Sequence, residues 1–176
     1  MAHFEKVSRF KDLSMALPVR STKNSAGYDL YVAEEVVIPP YEAHIHTLKN
    51  NGTFNKVYTL YEMAKLTKET AAKPTLVSTG MKVKLDKNQY LELSLRSSTP
   101  LKYWLVMANS EGIIDADYYN NPDNEGEIFL QLINLSPYQI KLMVGDCIGQ
   151  GIIKTYEKVE NDCSTEERVG GFGSTK

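Results

Sequence analysis

Residues 81–95 read MKVKLDKNQYLELSL. Met81, Val83 and Leu85 alternate with lysines, and after the polar break Asp86-Lys87-Asn88 the residues Leu91, Leu93 and Leu95 alternate with Glu92 and Ser94. A repeat of two sends successive side chains to opposite faces, so Met81–Leu85 and Tyr90–Leu95 predict two strands, each with one apolar face. The same alternation marks Tyr28–Val32, Ala43–Leu48, Ile128–Ile133 and Gln139–Met143, each bounded by Gly, Pro, Asn or Asp. Strands this numerous and closely spaced leave no room for crossover helices. The reading is an all-β sandwich or barrel.

One stretch departs from that rhythm. Tyr58–Lys73, YTLYEMAKLTKETAAK, is rich in Ala, Leu, Lys and Glu, with Leu60, Met63 and Leu66 at three-residue spacing; it predicts a helix inserted into the β domain within about residues 50–76. From Glu157 onward the chain is polar and lacks apolar periodicity, ending in the glycine-rich run GGFGST. The expected organisation is a β domain over 1–157 and an arm over 158–176 that stays mobile until a ligand orders it.

The 176 residues suffice for one well-buried domain. No run approaches the roughly 20 apolar residues that span a bilayer, and the opening MAHFEKVSRFKDL has scattered charges and no secretion-signal pattern. A cytoplasmic location is expected. Two cysteines, Cys147 and Cys163, are too few for a disulfide framework. A formal net charge of −2 without a Lys/Arg cluster argues against a duplex-binding surface.

Five segments carry residues that a β core would not select: AGYDL (26–30), LRSST (95–99), NSEGIIDADY (109–118), GDCIGQ (145–150) and RVGGFGST (168–175). Arg96 with Ser97 and Ser98 makes a credible phosphate clamp, since a guanidinium grips two oxygens at once, although R-S-S is equally the composition of a surface turn. Asp115 and Asp117 lie between an apolar pair and Tyr118, where a carboxylate can deprotonate a water; the glycine and terminal glutamate of a calcium loop are missing. In the last segment the glycines let backbone amides approach an anion, and Phe172 offers a flat face for a base, unless the run is simply a loose tail. His44 and His46, on one face of their expected strand, lack the third ligand that zinc requires. Tyr103 and Trp104 read as core or subunit-contact residues.

Taken in this order, the five segments resemble the five motifs of the trimeric dUTPase family. The resemblance implies a distorted jelly-roll-like barrel, a homotrimer whose sites combine residues of neighbouring chains, and Mg²⁺-dependent hydrolysis of dUTP to dUMP and pyrophosphate, which limits uracil in DNA and supplies dUMP for dTMP synthesis. It further implies that Asp29 holds Mg²⁺ through water, that Arg96, Ser97, Ser98 and Gln150 bind phosphate, and that Asp115 contacts the 3′-hydroxyl and activates the attacking water. Asn109, Gly112, Ile113 and Ile114 would line the base and sugar pocket, with Tyr118 beneath the deoxyribose. Arg168 would reach the γ-phosphate, Phe172 would stack on uracil, and Gly173, Ser174 and Thr175 would surround the phosphates.

The sequence departs from the family pattern at Leu95, Cys147 and Gly149, in a spacing between Arg168 and Phe172 that is one residue short, and in Tyr119–Glu125, seven residues where one is usual. The related dCTP deaminases share the fold, but their catalytic glutamate falls at Gln131, which cannot shuttle a proton. A regulatory role is the other alternative, since some phage dUTPases also bind repressor proteins, and the two insertions offer surfaces for such a partner.

Overall fold

The computed structural model describes residues 1–53, 55–166 and 168–171. Two short strands come first: β1 (His3–Lys6) pairs antiparallel with β5 (Met81–Lys84), setting Phe4 opposite Val83. The largest sheet takes β2 (Tyr28–Tyr31), β11 (Cys147–Thr155), β6 (Gln89–Leu95) and β8 (Gly112–Asp115) in that spatial order. A second sheet joins β4 (Thr75–Ser78), β9 (Phe129–Asn134) and β7 (Leu105–Met107), and β10 (Ile140–Leu142) pairs with β3 (Val36–Ile38). Every ladder is antiparallel, in a jelly-roll-like all-β arrangement. No helix among the described residues is long and apolar enough to cross a membrane.

The period-two pattern works as predicted where a strand has one face on the core. Leu91 and Leu93 of β6 and Leu130 and Leu132 of β9 are essentially fully buried and meet Leu30, Val77, Leu105 and Ile128 in one continuous core. Each such leucine contributes about 1.5–3 kcal/mol through burial.

One strand assignment is wrong. Ala43–Leu48 lies within α1 (Tyr41–Asn51), which follows Pro40, with Glu42 in its first turn and Lys49 in its last. Those charges complement the helix dipole, and the segment has no neighbouring strand to pair with. No residue of α1 is buried, so its alternation reports no core-facing surface. His44 and His46, two apart on a helix, project about 200° apart rather than to one face, which removes the metal-pair geometry; the His46 ring instead meets the Asn50 side chain at 3.1 Å.

The predicted helix is α2 (Leu60–Thr70), and its start is chemically defined. The Thr59 hydroxyl accepts from the Glu62 amide at 3.2 Å while the Glu62 carboxylate accepts from the Thr59 amide at 2.9 Å, a reciprocal cap. The helical insertion is therefore a hairpin of α1 and α2 that begins at Tyr41, not near residue 50. Leu48, Tyr58, Met63 and Leu66 face one another across it.

The enlarged turn at 119–125 is held by its own asparagines. Asn121, 5% exposed, donates to the Tyr118 carbonyl at 2.8 Å and accepts from the amides of Asp123 and Asn124. Lys82 of β5 donates to the Asn120 side chain at 2.6 Å, and Glu125 accepts from the amide and hydroxyl of Ser8. At Gly126 φ is +81°, and a Cβ there would lie 2.6 Å from the Tyr118 carbonyl, so the return to β9 needs glycine.

Candidate active site

Strand β8 ends at Asp115 and a single 3-10 turn, Ala116–Tyr118, follows. This geometry gathers the third segment around a cleft of about 140 Å³ lined by Asn109, Gly112, Ile113, Ile114, Asp115 and Tyr118, with Leu93, Glu127, Phe129 and Gln131 behind them and Arg168 and Gly171 across the mouth. Gly112 lies against Leu93, where a Cβ would come within 3.0 Å, so the cleft wall rests directly on β6. Tyr118 is buried; its hydroxyl donates to the Glu127 carbonyl at 3.1 Å and accepts from Asn124 at 2.7 Å, which fixes the ring as the floor. Burial, the larger influence, raises its pKa above that of an ordinary phenol.

Arg168 closes the mouth. Its Nη2 donates to the Asp115 carboxylate, its Nε to Asp117 Oδ1 at 2.7 Å and its Nη1 to the Gly170 carbonyl at 3.4 Å, and the guanidinium lies 5.9 Å from the Tyr118 ring centroid. Asp115 remains 46% exposed at its side chain, so a water can reach it.

A second cleft, of about 240 Å³, collects Ser21, Ser25, Gly27, Asp29, Arg96, Ser97 and Gln150. Here strand pairing does the gathering: Gln150 of β11 stands opposite Asp29 of β2 on one side and Ser94 of β6 on the other. Asp29 is buried, accepts from the Ser21 hydroxyl and lies 3.5 Å from Arg96 Nε. The Arg96 backbone is tied to β11 by its amide, which donates to the Ile148 carbonyl at 3.2 Å. A Cβ at Gly27 would fall 2.2 Å from Gln150 Oε1, so glycine lets the glutamine side chain lie flat there. Ser98 opens the short helix α3 (Ser98–Tyr103) and does not line this cleft. Cys147 stands beside Asp29 and Arg96; burial raises its pKa, with Arg96 acting in the opposite direction.

The two clefts lie at opposite edges of one sheet. β2 and β8 are separated by β11 and β6, three strand spacings or about 14 Å. One edge thus carries a polar cleft with Arg96 and the other a half-apolar cleft with an accessible carboxylate, a pairing that suits a phosphorylated ligand.

Comparison with known proteins agrees with that chemistry. The dUTPase family matches residues 56–176. The chain is 35% identical over 174 residues to the deoxyuridine 5′-triphosphate nucleotidohydrolase of Lactococcus lactis, covering 98% of this chain and 95% of that protein. The chain belongs to the dUTPase family. Its counterpart from Rickettsia rickettsii is 32% identical over 175 residues, covering 97% of this chain and 95% of that one. The crystal structure of the Streptococcus mutans dUTPase superposes with a TM-score of 0.69 at 34% identity, covering 90% of this chain and 98% of that one. The phage phi11 dUTPase of S. aureus, at 18% identity, shares the fold with a TM-score of 0.60, covering 99% of each chain.

Set against the dUTPase motifs, the residues expected to hold base and sugar do surround one cleft, except Phe172, which with Gly173, Ser174 and Thr175 lies outside the described residues. Arg168 was expected at the γ-phosphate; here it meets Asp115 and Asp117 of its own chain. Tyr103 and Trp104 are 49% and 62% exposed, so the core alternative for them fails. Sequence reading missed Ser21 and Ser25, whose signal was the hydroxyl-rich run RSTKNSAG before Asp29, and Phe129, which lines the base cleft from β9 beside Gln131. It also missed the partnership of Asp117 with Arg168, for which no local signal exists.

Proposed function

We propose that the chain hydrolyses dUTP to dUMP and pyrophosphate, with Asp115 as the general base and the site completed by a second copy of the chain in a homotrimer. The observation that carries this reading is Asp115 at the mouth of a cleft floored by the buried ring of Tyr118, accessible to water and within reach of a cation. The uracil and deoxyribose would enter among Asn109, Gly112, Ile113 and Ile114, with the sugar on Tyr118, whose ring would exclude a 2′-hydroxyl. Asp115 takes a proton from water; the water oxygen bonds to the α-phosphorus, the bond from that phosphorus to the bridging oxygen breaks, and pyrophosphate leaves with the electron pair. Arg96, Ser97, Gln150 and Arg168 offset the charge that builds on the phosphate oxygens.

The lining of the phosphate cleft supports Mg²⁺ as the metal. Asp29 is the cleft's one carboxylate, and among the described residues no group of three His, Cys, Asp or Glu is placed to hold an ion. That does not suit zinc, which needs three or four protein ligands, and it suits Mg²⁺, which keeps its waters and binds mainly to substrate phosphates. Asp29 would hold Mg²⁺ through water, and the ion supplies positive charge to the triphosphate.

The trimer draws support from the separation of the clefts, since one nucleotide must reach both, and from exposed apolar side chains. Leu101 is 81% and Trp104 62% exposed, and Leu135, 48% exposed, is joined to Trp104 by a backbone hydrogen bond of 2.9 Å. Deamination is disfavoured by Gln131, which lines the cleft but has no acidic proton to exchange. The deciding experiment supplies dUTP, dCTP, dTTP and UTP separately with Mg²⁺ and follows pyrophosphate and ammonia in the same samples. Pyrophosphate from dUTP alone is expected; ammonia from dCTP, or neither product, refutes the reading.

A further inference from the structure

We propose that Asn124, in the enlarged turn before β9, is a positioning residue that determines sugar specificity: its side-chain amide holds the Tyr118 ring in place and so sets how strictly the site prefers a deoxyribose to a ribose. The proposal rests on the dUTP reading above. Asn124 does not line the base and sugar cleft; it lies behind it, in a separate groove with Arg9, Glu34 and Glu127. Its link to the cleft is the 2.7 Å hydrogen bond that Nδ2 donates to the Tyr118 hydroxyl oxygen.

The direction of each bond in this cluster is fixed by its neighbours. Asn124 Oδ1 accepts from the Gly126 amide at 3.0 Å and from Asn121 Nδ2 at 2.8 Å, and a backbone amide can only donate, so Nδ2 must face Tyr118. The hydroxyl, already receiving a donor, gives its one proton to the Glu127 carbonyl at 3.1 Å. Glu127 is pinned in turn: its amide donates to the Asn124 carbonyl at 3.0 Å, and its carboxylate accepts from the Ser78 hydroxyl and, at 3.3 Å, from Arg9 Nη2. Burial, the larger influence, raises the Tyr118 pKa, and the Asn124 donation acts against it. A buried ring whose hydroxyl is satisfied both as donor and as acceptor has one orientation, and a ring that lacks one of these partners can tilt. A 2′-hydroxyl adds a single oxygen to the sugar, and a site holds its geometry to about 0.5 Å only where supporting hydrogen bonds lock the side chain that does the excluding. Asn121 and Asn124 both belong to the seven residues Tyr119–Glu125. The enlarged turn thus supplies the support for the cleft floor.

The test uses Asn124→Asp in the full chain. Aspartate keeps an oxygen for the Gly126 and Asn121 donors and replaces only the donor that faces Tyr118, setting a second acceptor against the single hydroxyl proton. With Mg²⁺, the ratio of kcat/KM for dUTP to that for UTP is expected to fall about tenfold, or about 1.4 kcal/mol, the net worth of one hydrogen bond. In a Tyr118→Phe background the same substitution is expected to leave the ratio unchanged. Without nucleotide, the Tyr118 Cζ signal in the NMR spectrum of tyrosine-labelled protein, assigned by its loss in Tyr118→Phe, is expected to shift in the variant. A ratio within about twofold of the parent, a fall of equal size in the Tyr118→Phe background, or an unmoved Cζ signal overturns the proposal. If the parent chain hydrolyses neither nucleotide, the dUTP reading falls and the specificity role with it; hydrolysis of dUTP with an unchanged ratio overturns the role of Asn124 alone.

Discussion

Replacing Asp115 by Asn separates chemistry from stability, because the structure assigns very different magnitudes to the two. The change keeps the shape of the side chain and removes its charge and basicity. On the stability side, Asp115 loses an ion pair with Arg168, and with its side chain 46% exposed that pair is screened by water. Such a contact contributes no more than about 1 kcal/mol, and for a domain of this size that lowers Tm by about 2–4 °C. The β8 backbone, paired with Tyr90 at this position, is untouched. On the catalytic side, the loss of the general base removes about 100- to 10,000-fold of rate, or about 3–5 kcal/mol of barrier. Neighbouring Asp117 cannot substitute, since it does not line the cleft. The assay is pyrophosphate release at saturating dUTP, paired with a thermal melt and with calorimetric titration of dUTP into the inactive variant. We expect a collapse of kcat, a nearly unchanged Tm and retained binding. A variant whose kcat stays within about threefold of the parent would refute the role of Asp115 as base.

Other consequences are open to measurement. Mixing inactive Asp115→Asn and Arg168→Ala chains after dissociation should restore about a quarter of the parent activity if each site takes Asp115 from one subunit and Arg168 from another in randomly mixed trimers; no recovery would show that Arg168 serves Asp115 within its own chain. Glu62, whose pKa is lowered from 4.5 to about 2 by Lys56 and by the amide and hydroxyl of Thr59, is depressed in the folded state, so its contribution is present above about 4.5 and fades as pH falls toward about 2. Far-UV circular dichroism should lose helical signal across that window, and Glu62→Gln should abolish the step; an unchanged step would reject the cap as its source. Gly126→Ala forces a Cβ to 2.6 Å from the Tyr118 carbonyl at φ +81° and should cost about 1–3 kcal/mol, seen as a lower Tm with weaker dUTP binding; a neutral result would mean that the turn relaxes freely.

How far the fold could be read from sequence depended on whether a segment has a core to face. Leu91 and Leu93 are separated by Glu92 and Leu130 and Leu132 by Gln131 because the sheet turns the leucines onto one core, and for them the period of two is a record of packing. Ala43–Leu48 shows the same alternation without a sheet core behind it. In α1 no side chain is fully buried and its one packed side faces α2 through Leu48, so local terms weigh more: Pro40 ahead of the first turn, Glu42 and Lys49 at opposite ends. Tyr58–Lys73 was legible because its signals are local ones, the Thr59 and Glu62 cap above all.

The site divides in the same way. Asn109, Gly112 to Asp115 and Tyr118 are close in sequence, and one strand with one turn suffices to bring them round a cleft. Asp29, Arg96 and Gln150 come together only because β11 runs between β2 and β6, a pairing choice that no one of those strands encodes alone. The same strand order β2-β11-β6-β8 then sets the anion clamp and Asp115 at opposite edges of the sheet. The two clefts stand three strand spacings apart, about 14 Å, which supports the proposal that a nucleotide touching both does so between copies of the chain. It can do so where the β8 edge of one copy meets the β2 edge of another. The topology thus supports the proposed assembly, and Arg168 rests on Asp115 and Asp117 at the β8 edge.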